Sequence, residues 1–195
     1  MIAVIDCCGS NISSVKYALE RLNEEAVFTS NDLIIKSADR VLLPGVGSAG
    51  HAMQKLKDKG LVELIRGIEK PVLGICLGMQ LLFDSSEEDS VECLGIIPGQ
   101  IKRFPILEGI TIPHMGWNQI HGSGNNESIM YQAEQKYVYF VHSYYAELGD
   151  YTVAKTKHGI EFSSIVQKDN FYGMQFHPEK SGDVGNQLLN NFINL

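Results

Sequence analysis

A three-layer α/β fold is predicted, with a central, mostly parallel sheet, helices on both faces and antiparallel strands added late. Three observations predict it. Through the first half of the 195-residue chain, short apolar runs bounded by turn residues alternate with segments of helical periodicity. Beyond residue 91 the alternation gives way to strand-like segments separated by polar turns, the texture of antiparallel pairing. Between these halves, Pro71-Val72-Leu73-Gly74-Ile75-Cys76-Leu77-Gly78 carries a buried strand straight into a helix. The length suits one domain, 1–195, able to bury a substantial core without disulfides.

Residues 2–5, Ile-Ala-Val-Ile, read as a first strand, and Ile12, Val15, Leu19 and Leu22 recur at helical spacing, so residues 11–23 read as an amphipathic helix. Residues 26–29 and 40–43 read as the second and third strands, the latter ending in Pro44-Gly45-Val46-Gly47. Helical pattern follows over 49–68, broken near Gly60. Residues 72–75 are a strand buried on both faces, and 79–83 a helix leaving it. The strand-like segments beyond are 99–104, 137–142, 151–156, 162–167 and 171–176. A last helix carries Val184, Leu188, Leu189 and Phe192 on one face. Sites in such sheets form at the carboxyl ends of the parallel strands.

Composition excludes several classes. The net charge is −7 with no Lys/Arg run, which argues against nucleic acid or an anionic membrane as partner. The opening Met-Ile-Ala-Val-Ile-Asp lacks a basic region, its apolar run is too short for a signal peptide, and no later stretch approaches spanning length, so the expected location is cytoplasmic. Cys7, Cys8, Cys76 and Cys93 form no C-x-x-C pair, so neither a zinc ribbon nor a disulfide framework is indicated. Vicinal Cys7 and Cys8 have no third ligand near in sequence, and neither metal nor cofactor is called for. His51, His121 and His158 read as surface loop residues.

Two motifs carry chemistry. Cys76 sits at the strand–helix joint with Gly74 two residues before and Gly78 two after, the thiol counterpart of a nucleophile elbow. There the unpaired N–H groups of the helix start favour a thiolate, and the N–H of Leu77 points where an oxyanion would form. A buried structural cysteine is the competing reading. The second motif, His177-Pro178-Glu179, follows a strand: a nucleophilic thiolate needs a base for its proton, and the base needs a carboxylate to fix its tautomer. His177 and Glu179 supply both.

Gly74-Ile75-Cys76-Leu77-Gly78-Met79-Gln80 together with His177-Pro178-Glu179 resembles the class I (triad) glutamine amidotransferases, over nearly the whole chain. Within that family Pro44-Gly45-Val46-Gly47, His114-Met115-Gly116-Trp117-Asn118 and Tyr139-Phe140-Val141-His142-Ser143-Tyr144 resemble the glutaminase subunits that serve a cyclase in histidine biosynthesis. The resemblance implies a flavodoxin-like domain that hydrolyses L-glutamine to glutamate and ammonia through a γ-glutamyl thioester, without cofactor or metal. It implies catalytic roles for Cys76, His177 and Glu179, and an oxyanion hole from the backbone of Leu77 and of Val46 or Gly47. It gives substrate contacts to Gly45, Gly78, Gln80, Glu88, Ser143 and Tyr144.

The implied partner is a separate cyclase subunit in a heterodimer, met by Asn11, Met115, Trp117, Tyr139 and Lys180, with ammonia crossing the junction out of bulk water. Trp117, the sole Trp, reads equally as an interface residue or as core. For Glu88 a solvated acidic loop through Glu87 and Asp89 is the competing reading. The chain departs from the family pattern at Asp6-Cys7-Cys8-Gly9-Ser10-Asn11, with Cys8 at a common glycine position. Two alternatives stay open: a paralogous glutaminase feeding another amination, for instance of a surface sugar, and a non-catalytic regulatory module.

Overall fold

The structure is a computed structural model, described over residues 1–6, 12–123 and 135–195. Strands β1 (Ile2–Ile5), β2 (Ala26–Thr29), β3 (Arg40–Gly45), β4 (Val72–Cys76) and β13 (Phe171–Met174) form the parallel half of the sheet in the order β2-β1-β3-β4-β13. Because successive strand residues face opposite ways, Ala3 and Ile5 enter one core and Ile2 and Val4 the other. Helices α2 (Asp32–Ser37), α3 (Ala49–Asp58) and α4 (Leu61–Arg66) cover the first face with Ile35, Met53, Leu56 and Ile65. Helices α1 (Ile12–Arg21) and α6 (Gly182–Ile193) cover the second with Val15, Leu19, Leu188 and Phe192. Three layers result.

Beyond β13 the sheet continues through β12 (Ile160–Lys168), β10 (Tyr144–Ala146), β7 (Ile97–Arg103), β5 (Phe83–Ser86) and β6 (Val91–Glu92). All these junctions are antiparallel except β5 on β7. Strand β11 (Thr152–His158) pairs with β12 and with β8 (His114–Gly122), and β8 pairs in turn with β9 (Lys136–His142). Of the late segments, 99–104, 137–142, 151–156 and 162–167 fall on β7, β9, β11 and β12 in antiparallel pairings, whereas 171–176 is β13, antiparallel to β12 but parallel to β4. No helix among the described residues is long and apolar enough to cross a membrane.

The structure differs from expectation in several places, and strands β6, β8 and β10 are additional to those read from sequence. The helix after Cys76, α5, is one turn (Leu77–Gln80), and Phe83 instead begins β5. The apolar run 81–83 fits either state, and pairing of Phe83 with Ile97 decides for strand. Helix α2 was not foreseen: it is six residues long, too short for a period to show, and is started by Asn31, whose side-chain oxygen accepts from the N–H groups of Leu33 and Ile34. None of the three loop histidines lies in a loop: His51 is on α3, His121 on β8 and His158 on β11.

Candidate active site

Cys76 stands where β4 meets α5, in a conformation (φ 54°, ψ −111°) that L-residues avoid. Such strain costs about 1–3 kcal/mol and survives only where packing over-determines it. The glycines supply that packing. A Cβ on Gly78 would collide with the Leu43 carbonyl oxygen, one on Gly74 would come within 2.6 Å of the Gly78 oxygen, and one on Gly45 within 2.6 Å of the Gly78 nitrogen. Three backbones thus meet where only hydrogen atoms fit, and the sulfur is pushed out at the carboxyl edge of the sheet, with its residue 8% exposed. The other described cysteine, Cys93, is also buried, and desolvation pushes its thiol up to about 12, which leaves it unreactive.

From the far end of the chain, β13 runs parallel to β4, pairing Met174 with Ile75, and delivers Gln175, Phe176 and His177 to the same edge. Pro178 opens a 3₁₀ turn, Pro178–Lys180, that folds Glu179 back under the ring, and His177 Nδ1 lies 2.8 Å from Glu179 Oε1. The turn is fixed from two sides: the His177 N–H donates to the Tyr139 carbonyl, and the Ser181 hydroxyl donates to the His177 carbonyl. Burial works against a charged His177, but hydrogen bonds to Cys76 and Glu179, and the charges of both, outweigh it and push the imidazole up to about 10. The ring is therefore held protonated between two anion-forming groups.

A cavity of about 290 Å³ opens over the sulfur. Gly47, Leu77, Gln80, Glu88, Ser143 and Tyr144 all line it with Cys76. Gly45 and Val46 lie on the other side, around a small void shared with His177 and Glu179. Gly78 is buried against β3 behind the elbow. A larger groove of about 620 Å³ between α2 and α4, lined by residues such as Asp32, Lys36 and Glu63, has no Cys, Ser, Thr or His in its lining.

Two cavity residues are more committed than sequence implied. Gln80 spends its amide nitrogen on the Tyr144 carbonyl and on Gln175 Oε1, both at 2.9 Å, so contact with a ligand falls to its oxygen. Glu88 is half-buried, although Glu87 and Asp89 on either side of it are exposed. Its Oε2 accepts from the Ala49 N–H at 2.8 Å and the neighbouring Asp89 accepts from Gly50, so the two carboxylates cap α3 in place of Ser48, which makes no side-chain cap. Desolvation raises the Glu88 carboxyl.

On the outer face, β8 and β9 pair Trp117 with Tyr139, their rings 6.0 Å apart. Trp117 is 55% and Met115 62% exposed, Lys180 is exposed and Tyr139 half-buried. Of the two readings of Trp117, core is excluded. Asn11, Cys7 and Cys8 lie outside the described residues.

Between this face and the cavity runs a chain of histidines. The Tyr144 carbonyl can only accept, so His142 must donate from Nδ1 (2.7 Å), leaving Nε2 to accept from His114 Nδ1 (3.0 Å). The free His114 Nε2 then accepts from the Asn118 amide (3.1 Å), and His158 stacks on His114 with ring centroids 4.1 Å apart. Burial keeps both linked rings neutral, pulling His114 down to about 4 and His142 to about 3. Gln175 and this chain escaped sequence reading. The signal for Gln175 was an amide two residues before His177, on the same side of an otherwise apolar strand.

The family model described as glutamine amidotransferase class-I matches residues 3–195. Among curated proteins, imidazole glycerol phosphate synthase subunit HisH 2 of Legionella pneumophila (strain Lens) is 47% identical over 195 residues, covering all of this chain and 98% of that protein. The HisH subunit of Bacteroides thetaiotaomicron is 49% identical over 195 residues, covering 100% and 99%. Among solved structures, one described as a glutamine amidotransferase has a TM-score of 0.76 at 16% identity, covering 99% of this chain and 97% of that one. A glutamine amidotransferase from Thermotoga maritima has a TM-score of 0.64 at 17% identity, covering 99% and 82%. At those identities the structural likeness speaks for the fold alone.

Proposed function

The chain belongs to the class I glutamine amidotransferases, and from that premise we propose that it is the glutaminase subunit of imidazole glycerol phosphate synthase. It hydrolyses L-glutamine and passes the ammonia to a cyclase subunit, which makes imidazole glycerol phosphate and aminoimidazole carboxamide ribotide in histidine biosynthesis. The observation that carries the reading is the convergence, across a hundred residues of chain, of Cys76 with a buried His177 that feels its charge and lies 2.8 Å from Glu179.

The chemistry follows from that arrangement. The Cys76 sulfur attacks the side-chain amide carbon of glutamine, and the electron pair of the C=O goes to oxygen, where backbone N–H groups of Leu77 and of Val46 or Gly47 receive it. His177 gives its proton to the amide nitrogen, the C–N bond breaks, and ammonia leaves a γ-glutamyl thioester. His177, now neutral, takes a proton from water as the water attacks. Collapse of the second tetrahedral species expels the thiolate and frees glutamate. Glu179 holds the ring in one tautomer throughout.

Glu88 is the carboxylate suited to the substrate ammonium, and the Ser143 and Tyr144 backbone to its other end, with Gln80, Gly45 and Gly78 shaping the pocket. Met115, Trp117, Tyr139 and Lys180 face the cyclase. The junction keeps ammonia dry because ammonium, dominant at neutral pH, has no lone pair to attack with. The protein works as one domain in the cytoplasm.

Cys76→Ala tests the reading. It is expected to abolish glutamine-dependent turnover of the complex and leave ammonium-dependent turnover intact, because only the ammonia source is removed. Loss of both activities, or survival of the first, contradicts it. An intact triad argues against a regulatory module, and the similarity of named relatives over the full chain favours the cyclase over another acceptor.

A further inference from the structure

Resting on the reading of Cys76 as nucleophile, we propose that Gln175 is a positioning residue: its amide, oriented by Gln80, presents an N–H to the Cys76 sulfur and holds the thiolate charged and aimed at the cavity. Gln175 is completely buried, and a glutamine amide in a core must find partners for both of its ends. Its Oε1 lies 2.9 Å from Gln80 Nε2, and its Nε2 lies 3.9 Å from Cys76 Sγ.

The direction of each bond can be deduced. The Tyr144 carbonyl is only an acceptor, so the Gln80 atom 2.9 Å from it must be nitrogen. That nitrogen also faces Gln175, so Gln175 must turn its oxygen toward Gln80. Its N–H₂ is left for the sulfur. Tyr144 is itself pinned by His142, so the orientation is set by backbone at one end of the relay and read by the nucleophile at the other. A donor at that position stabilises the charged sulfur relative to the thiol. Besides His177 the sulfur has the Val141 carbonyl 3.9 Å away, which can only accept from the thiol S–H, so Gln175, approaching from the neighbouring strand, is the amide contact that favours the charged sulfur.

The experiment uses the intact chain and iodoacetamide, with Cys76 alkylation followed by peptide mass spectrometry across pH. Gln175→Leu is expected to displace the rate profile by about one pH unit to the alkaline side, roughly a tenfold loss of rate at neutral pH. Gln80→Met, which leaves Gln175 in place but free to rotate, is expected to give a smaller displacement in the same direction. It should add nothing in the Gln175→Leu background, because Gln80 acts only through Gln175. Unmoved profiles overturn the proposal, and so do additive shifts in the double variant. If Gln175→Leu does not fold, Gln80→Met alone decides, since an unmoved profile there removes the relay. A wild-type Cys76 that reacts no faster than an ordinary thiol overturns the nucleophile reading as well, which tells the two failures apart.

Discussion

The reactivity of one sulfur here is assembled from a local elbow and from partners remote in sequence. His177 lies 101 positions after Cys76, and its ring is held protonated because two anion-forming partners outweigh the cost of burying its charge. Glu179 is the partner that also fixes the tautomer. Glu179→Gln is therefore expected to lower glutaminase kcat by about two to four orders of magnitude with little change in KM, measured as glutamate release in the assembled complex. A loss below tenfold would show that the Cys76–His177 pair is oriented without it. Gln175 extends the same logic to a neutral group.

Glycines around the strand–helix joint at Cys76 and at the end of α4 serve for reasons that differ in kind. At Gly78 the Cβ direction points into the Leu43 carbonyl, and neither strand can retreat without breaking the β3–β4 ladder. Gly78→Ala is expected to cost about 3 kcal/mol or more in urea-denaturation stability. At Gly67, which closes α4, the nearest atom is 3.4 Å away and φ is negative, so Gly67→Ala is expected to stay within about 0.5 kcal/mol of wild type. Equal losses at both positions would show that the elbow's close contacts carry no energy. Capping follows a similar distance rule: α3 begins directly after the Pro44-Gly45-Val46-Gly47 turn, yet its first N–H groups are satisfied by Glu88 and Asp89, 39 residues on.

The molecule as a whole has two consequences, one at its surface and one in its core. Trp117 and Met115 stand exposed on β8, whose partner strand β9 holds His177 at its other edge, where the Tyr139 carbonyl accepts from the His177 N–H. Trp117→Ala is expected to weaken association with the cyclase by about 2 kcal/mol, near thirtyfold in Kd by calorimetry, while leaving fold stability unchanged. Unaltered affinity would remove this face from the interface.

The buried histidine chain makes a second whole-molecule prediction. His114 and His142 stay neutral in the fold to about pH 4 and 3, whereas unfolded histidines protonate near 6.5. Their contribution is full above about pH 6.5 and is lost as pH falls toward those values, because the unfolded chain binds protons that the folded chain refuses. His177 has the opposite sign, its contribution being full below about 6.5 and lost as pH rises toward 10. Two groups outweigh one, so the denaturation midpoint is expected to drop between pH 6.5 and 5. His114→Gln with His142→Gln should flatten that drop, and a wild-type midpoint constant over the interval would contradict it.

Local chemistry made much of this readable before any coordinates. The paired glycines around Cys76 demand a tight joint wherever they occur, strand and helix periods show in the order of apolar residues, and His177-Pro178-Glu179 holds acid, base and stiffener within three positions. Contact between remote segments is different in kind, because no local preference encodes it. The length of α5, the capping of α3 by Glu88 and Asp89, the exposure of Trp117, the stacking of His158 on His114 and the aim of the Gln175 amide all depend on which strands lie side by side. Only folding brings those strands together, and with them the hydrogen-bond directions that make an ordinary thiol a nucleophile.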